Sequence, residues 1–229
     1  MRTSESNDGP KESELTLDAK ISQNQVGHLY DRIAPVYDIW AGLTESKARN
    51  RALELVDVKD GEDVLEVAVG TGVAFYEIAV RNPNGTNTGI DLSNGMLSKA
   101  KKRLQSLPHR NYHLNIGTAF ELEMADDSVD TLVNQYMFDL LPFEVFEKIL
   151  REFKRVLRPS GKMVLVNMTE AEQFMGRIYD RIYRISPRLM GGCRAVKLSG
   201  LIEKQGFKID KREYHQQMLF PSEVILAFK

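Results

Sequence analysis

The run Asp63-Val64-Leu65-Glu66-Val67-Ala68-Val69-Gly70-Thr71-Gly72 constrains this chain more than any other. Val64, Leu65, Val67 and Val69 around Glu66 read as a buried strand, and Gly70 and Gly72 close it in a tight turn before a helix. Glycine lets the backbone take φ > 0 and approach a ligand with no Cβ in the way. A strand, glycine turn and helix start in this order make a nucleotide cradle at the carboxyl end of a parallel sheet. The dinucleotide fingerprint needs a third glycine three residues past Gly72, and Phe75 stands there instead. Glu66, four residues before Gly70, places an acid to face a cationic or hydroxyl-bearing ligand.

Beyond Val56, strand and helix patterns alternate. Strands are expected near 62–69, 86–91, 111–117, 129–136 and 162–168, with helices near 72–81, 94–107, 143–157 and 171–185. That alternation argues a doubly wound, mostly parallel α/β sheet covered on both faces. Residues 206–214 and 223–228 read as two further strands joined by a short loop containing Pro221, which permits only an antiparallel pair. The expected architecture is a seven-stranded, Rossmann-like sheet closed by an antiparallel C-terminal hairpin. Residues 1–20 are too polar to fold and are expected to be a disordered tail. Residues 21–229 then form one domain, opened by a helical cap over roughly 22–40, broken near Pro35, and a second helix from Glu45 to Val56.

The composition narrows the classes. At 229 residues the chain suits one domain with a full core. No apolar run approaches the ~18–20 residues of a spanning helix, and the N-terminus lacks the apolar core of a secretory signal, so a cytoplasmic protein is expected. One cysteine, Cys193, excludes an internal disulfide framework. His28, His109, His113 and His215 show no ligand spacing, so no metal is expected; His28 is the histidine to test as a base. Lys and Arg number 31 against 32 Asp and Glu, which gives no case for nucleic acid. Between 177 and 212, however, ten basic residues face only Asp180, Glu203 and Asp210.

Glu66 with Gly70 and Gly72 resembles the S-adenosylmethionine loop of class I methyltransferases, and the similarity continues in order over roughly residues 28–170. Gly89-Ile90-Asp91-Leu92-Ser93-Asn94-Gly95-Met96-Leu97 is similar to the second strand and its helix start. Ile116-Gly117-Thr118-Ala119 and Asp126-Asp127-Ser128-Val129-Asp130 resemble the third strand, adenine loop and fourth-strand entry. Leu150 to Lys162 resembles the helix and Pro-Gly turn before strand five. Tyr30-Asp31-Arg32-Ile33-Ala34-Pro35-Val36-Tyr37-Asp38 resembles the opening helix of the ubiquinone/menaquinone biosynthesis C-methyltransferases, of the methyltransferase type 11 group. A parallel sheet closed by a hairpin is also that family's architecture.

The resemblance implies S-adenosylmethionine as cofactor and assigns roles. Glu66 faces the methionine ammonium, and Val67, Ala68, Gly70 and Gly72 form the cradle, with Ala68 where the family carries glycine. Asp91, nineteen residues past Gly72, takes the ribose hydroxyls. Leu92 and Met96 flank adenine or serve as core. Thr118 stands where the family has an acid for the adenine amino group, which leaves recognition to backbone near Ala119. Tyr30 and Tyr37, two helical turns apart, close over the cofactor or pack as part of the cap. Asn134 is a cofactor-shell candidate. Tyr136 and Asp139, past the fourth strand, are the catalytic candidates for orienting or deprotonating an acceptor.

The acceptor class stays open between a small molecule and a lipid-like one. Quinone C-methylation fits the opening helix, whereas the short stretch after Pro187-Arg188-Leu189-Met190-Gly191 lacks the quinone enzymes' longer insertion. Bacterial phosphatidylethanolamine N-methyltransferases share the Tyr-Asp-Arg opening. Over 174–188, Phe174, Met175, Ile178, Ile182 and Ile185 form an apolar stripe edged by Arg177, Arg181 and Arg184. That pattern fits first a helix packed on the sheet with a solvated basic edge, with a peripheral membrane helix as the alternative. A catalytically idle binding module and a nicotinamide oxidoreductase remain as alternatives. The oligomeric state is not legible.

Overall fold

The computed structural model describes residues 41–170, 194–218 and 220–229. The tail at 1–20, the cap over 22–40 with His28, Tyr30 and Tyr37, the helix at 171–185, the stripe over 174–188 and Cys193 lie outside them.

Helix α1 (Ser46–Val56) precedes β1 (Asp63–Val67), and α2 (Val73–Arg81) leads to β2 (Thr86–Asp91). Next come α3 (Asn94–Leu104), β3 (Tyr112–Ile116) and β4 (Val129–Gln135). Then follow α4 (Phe146–Val156), β5 (Leu157–Met168), α5 (Ser199–Lys204), β6 (Lys208–Gln217) and β7 (Phe220–Phe228). The seven strands form one sheet in the order β3-β2-β1-β4-β5-β7-β6. Neighbours from β3 to β5 are parallel, and β7 is antiparallel to both β5 and β6. This is the doubly wound, Rossmann-like sheet with an antiparallel end that the sequence implied.

Consecutive strand residues serve opposite faces. Leu65, Leu132, Leu165 and Ile225 join the layer with Phe146, Ile149, Phe153 and Ile202 of α4 and α5. Val64, Val133, Val164 and Val224 join the other, with Ala52, Leu53 and Val56 of α1 and Ala74 and Ile78 of α2. Helix α4 enters the first layer because Phe146, Ile149, Leu150, Phe153 and Val156 fall on one helical face, all fully enclosed. Truncating one such phenylalanine would cost roughly 3–5 kcal/mol. Helix α3 starts at a side-chain cap, Ser93 Oγ accepting from Met96 N at 3.0 Å.

The structure extends the terminal pair beyond its expected ends. Pro221 is not in a loop but inside β7, opposite Gln216. The proline lacks an N–H, yet its carbonyl still accepts from Thr169 N at 3.0 Å. Pairing on both sides of β7 carries the strand that far. The helix expected over 143–157 begins as a 3-10 turn, Phe143–Val145, before α4. The short helix α5 has no counterpart in the sequence expectations.

Candidate active site

Strand β1 lies between β2 and β4, so the connections leave it in opposite directions. Ligands of open α/β sheets bind in the crevice this reversal creates beyond the carboxyl ends of the strands. The crevice here has two lobes. The larger, about 770 Å³ of empty space open to solvent, lies between the end of β2 (Asp91, Leu92, Ser93, Met96) and the loop after β3 (Gly117 to Phe120). Val67 and the apolar Met137, Leu140 and Leu141 complete its wall. The second lobe, about 410 Å³, lies beside α1 and the glycine turn, where Glu45, Arg49, Glu66 and Thr71 face it. Ala68, Gly70, Gln135 and Tyr136 line both lobes and mark their junction.

Glu66 is only 2% exposed, and its Oε2 has no hydrogen-bond partner among the described residues. Burial, and next the like charge of Asp91, push its carboxyl well above the usual range, while the Arg49 charge opposes that shift. A desolvated carboxyl oxygen with no hydrogen-bond partner among the described residues is suited to a cationic ligand. Asp91 is already engaged: Oδ2 accepts from Gly70 N at 2.7 Å and Oδ1 from Ser93 N at 2.9 Å. An ionised carboxylate only accepts hydrogen bonds, the chemistry that suits a hydroxyl ligand.

The glycines divide the work. Gly70 has φ 57°, and a Cβ built on it would meet nothing within 4 Å, so its surface is open to a ligand. Gly72 has φ 76° and does not line the cleft; a Cβ there would lie 2.8 Å from Ala100 Cβ. It permits close packing of α2's start on α3. Ala68 takes φ 62°, a left-handed conformation that costs an alanine roughly 1–2 kcal/mol. A glycine at this position would pay no such strain.

Leu92, Met96, Thr118 and Ala119 all line the larger lobe as the sequence placed them. Thr118 Oγ1 accepts from Phe120 N at 3.3 Å, which engages it within its own loop. Asn134 is fully buried and does not face the cleft; Nδ2 donates to the Val67 carbonyl at 2.8 Å, tying β4 to β1. Tyr136 reaches the junction with φ 52°, and its hydroxyl lies 3.0 Å from Ser222 Oγ. Asp139 is fully enclosed in the 3-10 turn Phe138–Leu140 and is not among the cleft residues. Its carbonyl accepts from Arg194 N at 3.1 Å. The Arg194 guanidinium is hydrogen-bonded to the Leu141 carbonyl and sits 5.7 Å from the Phe146 ring centre.

Arg49 and Gln135 were not singled out in the sequence. Arg49 follows Glu45 by one helical turn, a pattern visible in the sequence without any sign of which face it serves. Among the described residues no cluster of three or more His, Cys, Asp or Glu could hold a metal, and no helix is long and apolar enough to cross a membrane. The residues present fit S-adenosylmethionine. Asp91 offers acceptors suited to hydroxyls, Glu66 an acid suited to an ammonium and Arg49 a cation suited to a carboxylate, and the open surface at Gly70 leaves room for a ligand.

The family model described as "Methyltransferase domain" matches residues 58–215. The demethylmenaquinone methyltransferase of Thermotoga maritima is 31% identical over 170 residues, 72% of this chain and 71% of that protein. Among solved structures, the cyclase SpnF superposes with a TM-score of 0.71 at 17% identity, covering 93% of this chain and 98% of that one. An S-adenosylmethionine-dependent methyltransferase from Methanosarcina mazei gives 0.64 at 19% identity, covering 75% and 94%. At those identities the structural matches show a shared fold.

Proposed function

This chain belongs to the S-adenosylmethionine-dependent methyltransferases of the methyltransferase-domain family, and we propose that its acceptor is a hydroxylated, largely apolar ring of the quinol class, methylated at carbon. The observation that carries the reading is the apolar wall of Met137, Leu140 and Leu141, which continues the cleft from the lobe junction. The name of the Thermotoga maritima relative supports the same acceptor class.

S-adenosylmethionine, when bound, supplies a methyl group already activated by its sulfonium, so the chain's work is alignment and exclusion of water. Asp91 would hold the adenosine half and Glu66 with Arg49 the amino-acid half, and the activated methyl group would then be presented near the junction of Ala68, Gly70, Gln135 and Tyr136. Tyr136 is the acceptor-side group; its hydrogen bond to Ser222 fixes the ring while the strained backbone turns it over the crevice. Asp139 is a positioning residue, since it holds the turn that carries Leu140 and Leu141.

The test is transfer of isotopic methyl from the labelled cofactor to a demethylated naphthoquinol, with phosphatidylethanolamine vesicles in parallel. Label at a ring carbon of the naphthoquinol supports the reading. Label in the phospholipid alone overturns it.

A further inference from the structure

Gln135 is the last residue of β4, paired in register with Val166 of β5. Strand alternation sets its direction. Val133 lies beside Glu66 of β1 on the α1–α2 side, Asn134 points to the other face and binds the Val67 carbonyl, and Gln135 returns to the Glu66 side. At Tyr136 the backbone turns left-handed, so Gln135 stands at the crest of the strand, at the meeting point of both lobes. Its Nε2 is enclosed and has no hydrogen-bond partner among the described residues. Buried donors are almost always paired in folded proteins, and one left open in a crevice is satisfied by a ligand.

The ligand atom must be an acceptor, because Nε2 only donates, and on a ring of the quinol class the acceptors are oxygens. The cofactor's hydroxyls, ammonium and carboxylate already have matching groups in Asp91, Glu66 and Arg49, and the loop of Thr118 and Ala119 stands ready for adenine. We propose that Gln135 determines acceptor specificity: its Nε2–H donates to the oxygen next to the reacting carbon of the ring acceptor. This rests on the quinol-class reading. A donor at that oxygen orients the ring and rejects analogues that lack the oxygen, since they leave the amide unpaired.

The test compares the full chain with Gln135→Leu and Gln135→Met, with preference read as the ratio of dissociation constants for a naphthoquinol and for the analogue lacking that one oxygen. Affinity for S-adenosylhomocysteine is measured alongside by calorimetry. The natural chain is expected to prefer the quinol. Gln135→Leu should lower kcat/KM for the quinol about tenfold or more and abolish the preference, while S-adenosylhomocysteine affinity stays within about twofold. Gln135→Met, close to glutamine in volume and without a donor, should lose the preference in the same way, and it decides the matter if the leucine variant fails to fold. Preference retained in both variants overturns the assignment while leaving the quinol reading intact. Parallel loss of S-adenosylhomocysteine affinity overturns it too, placing Gln135 on the cofactor. A natural chain that methylates neither ring overturns the acceptor reading, and the role of Gln135 with it.

Discussion

The main-chain N–H of Gly70 donates to Asp91 Oδ2 at 2.7 Å, so one carboxylate joins the turn after β1 to the end of β2. Its other oxygen holds the Ser93 amide at the start of α3 at 2.9 Å. The residue placed to meet the ribose is therefore also the clamp that shapes the cradle. Asp91→Ala is expected to weaken S-adenosylhomocysteine binding by about 1.5–3 kcal/mol, the scale of hydrogen bonds to a charged group. The melting temperature should fall as well. Thr118→Ala, whose hydroxyl serves only its own loop, should change binding far less. Calorimetry ranking the two in the opposite order would refute this placement.

Gly70→Ala and Gly72→Ala should separate ligand contact from packing. Both impose a left-handed alanine, roughly 1–2 kcal/mol. Gly72→Ala adds a methyl group at 2.8 Å from Ala100 Cβ and should lose a further ~1–3 kcal/mol of stability. The methyl of Gly70→Ala enters the open cleft and should act chiefly on cofactor affinity. Denaturant unfolding together with calorimetry checks the contrast; equal stability losses would contradict it.

Glu66 should make stability and binding respond to pH in opposite senses. Its carboxyl is held well above 4.5 in the folded chain, so the folded state keeps a proton that the unfolded state has released. The corresponding stability is full below the unfolded value and is lost as pH rises through the folded one. Glu66→Gln should therefore be more stable than the natural chain toward neutral pH, with the advantage vanishing in acid. The same variant should bind S-adenosylhomocysteine more weakly, because it cannot offer a carboxylate to the ammonium. Thermal melts across about pH 4 to 8 test this; a variant less stable throughout would count against it.

Arg51 of α1 and Glu213 of β6 give the opposite pH sense. The guanidinium donates to Glu213 Oε2 at 2.7 Å and Oε1 at 2.9 Å, which lowers the Glu213 carboxyl to about 2. The stabilisation is present above the ordinary value of 4.5 and is lost as pH falls through about 2. Glu213→Gln should melt slightly below the natural chain at neutral pH, by a margin that salt reduces, because the pair is partly exposed. The margin should close in acid. A difference unchanged by salt and pH would assign the effect to packing instead.

The sequence determined what local chemistry can determine. The periods of apolar residues fixed the alternation of strands and helices, and two glycines beside an acid fixed the place of the cradle. Glu66, Ala68, Gly70, Asp91, Leu92, Met96, Thr118 and Ala119 all come to one crevice because each sits near a strand end, in the turn beyond it or in the first turn of the helix that follows. Register and strand order were decided only in three dimensions. They turned Gly72 away from the cleft onto Ala100, buried Asn134 against the Val67 carbonyl and enclosed Asp139. They also brought Arg49 from α1 and Gln135 from β4 to the same crevice as Glu66. Side chains alternate across a strand with period two, so a residue's face depends on where its neighbours pair. Those pairings join residues as distant as Val67 and Asn134, and no local pattern carries them.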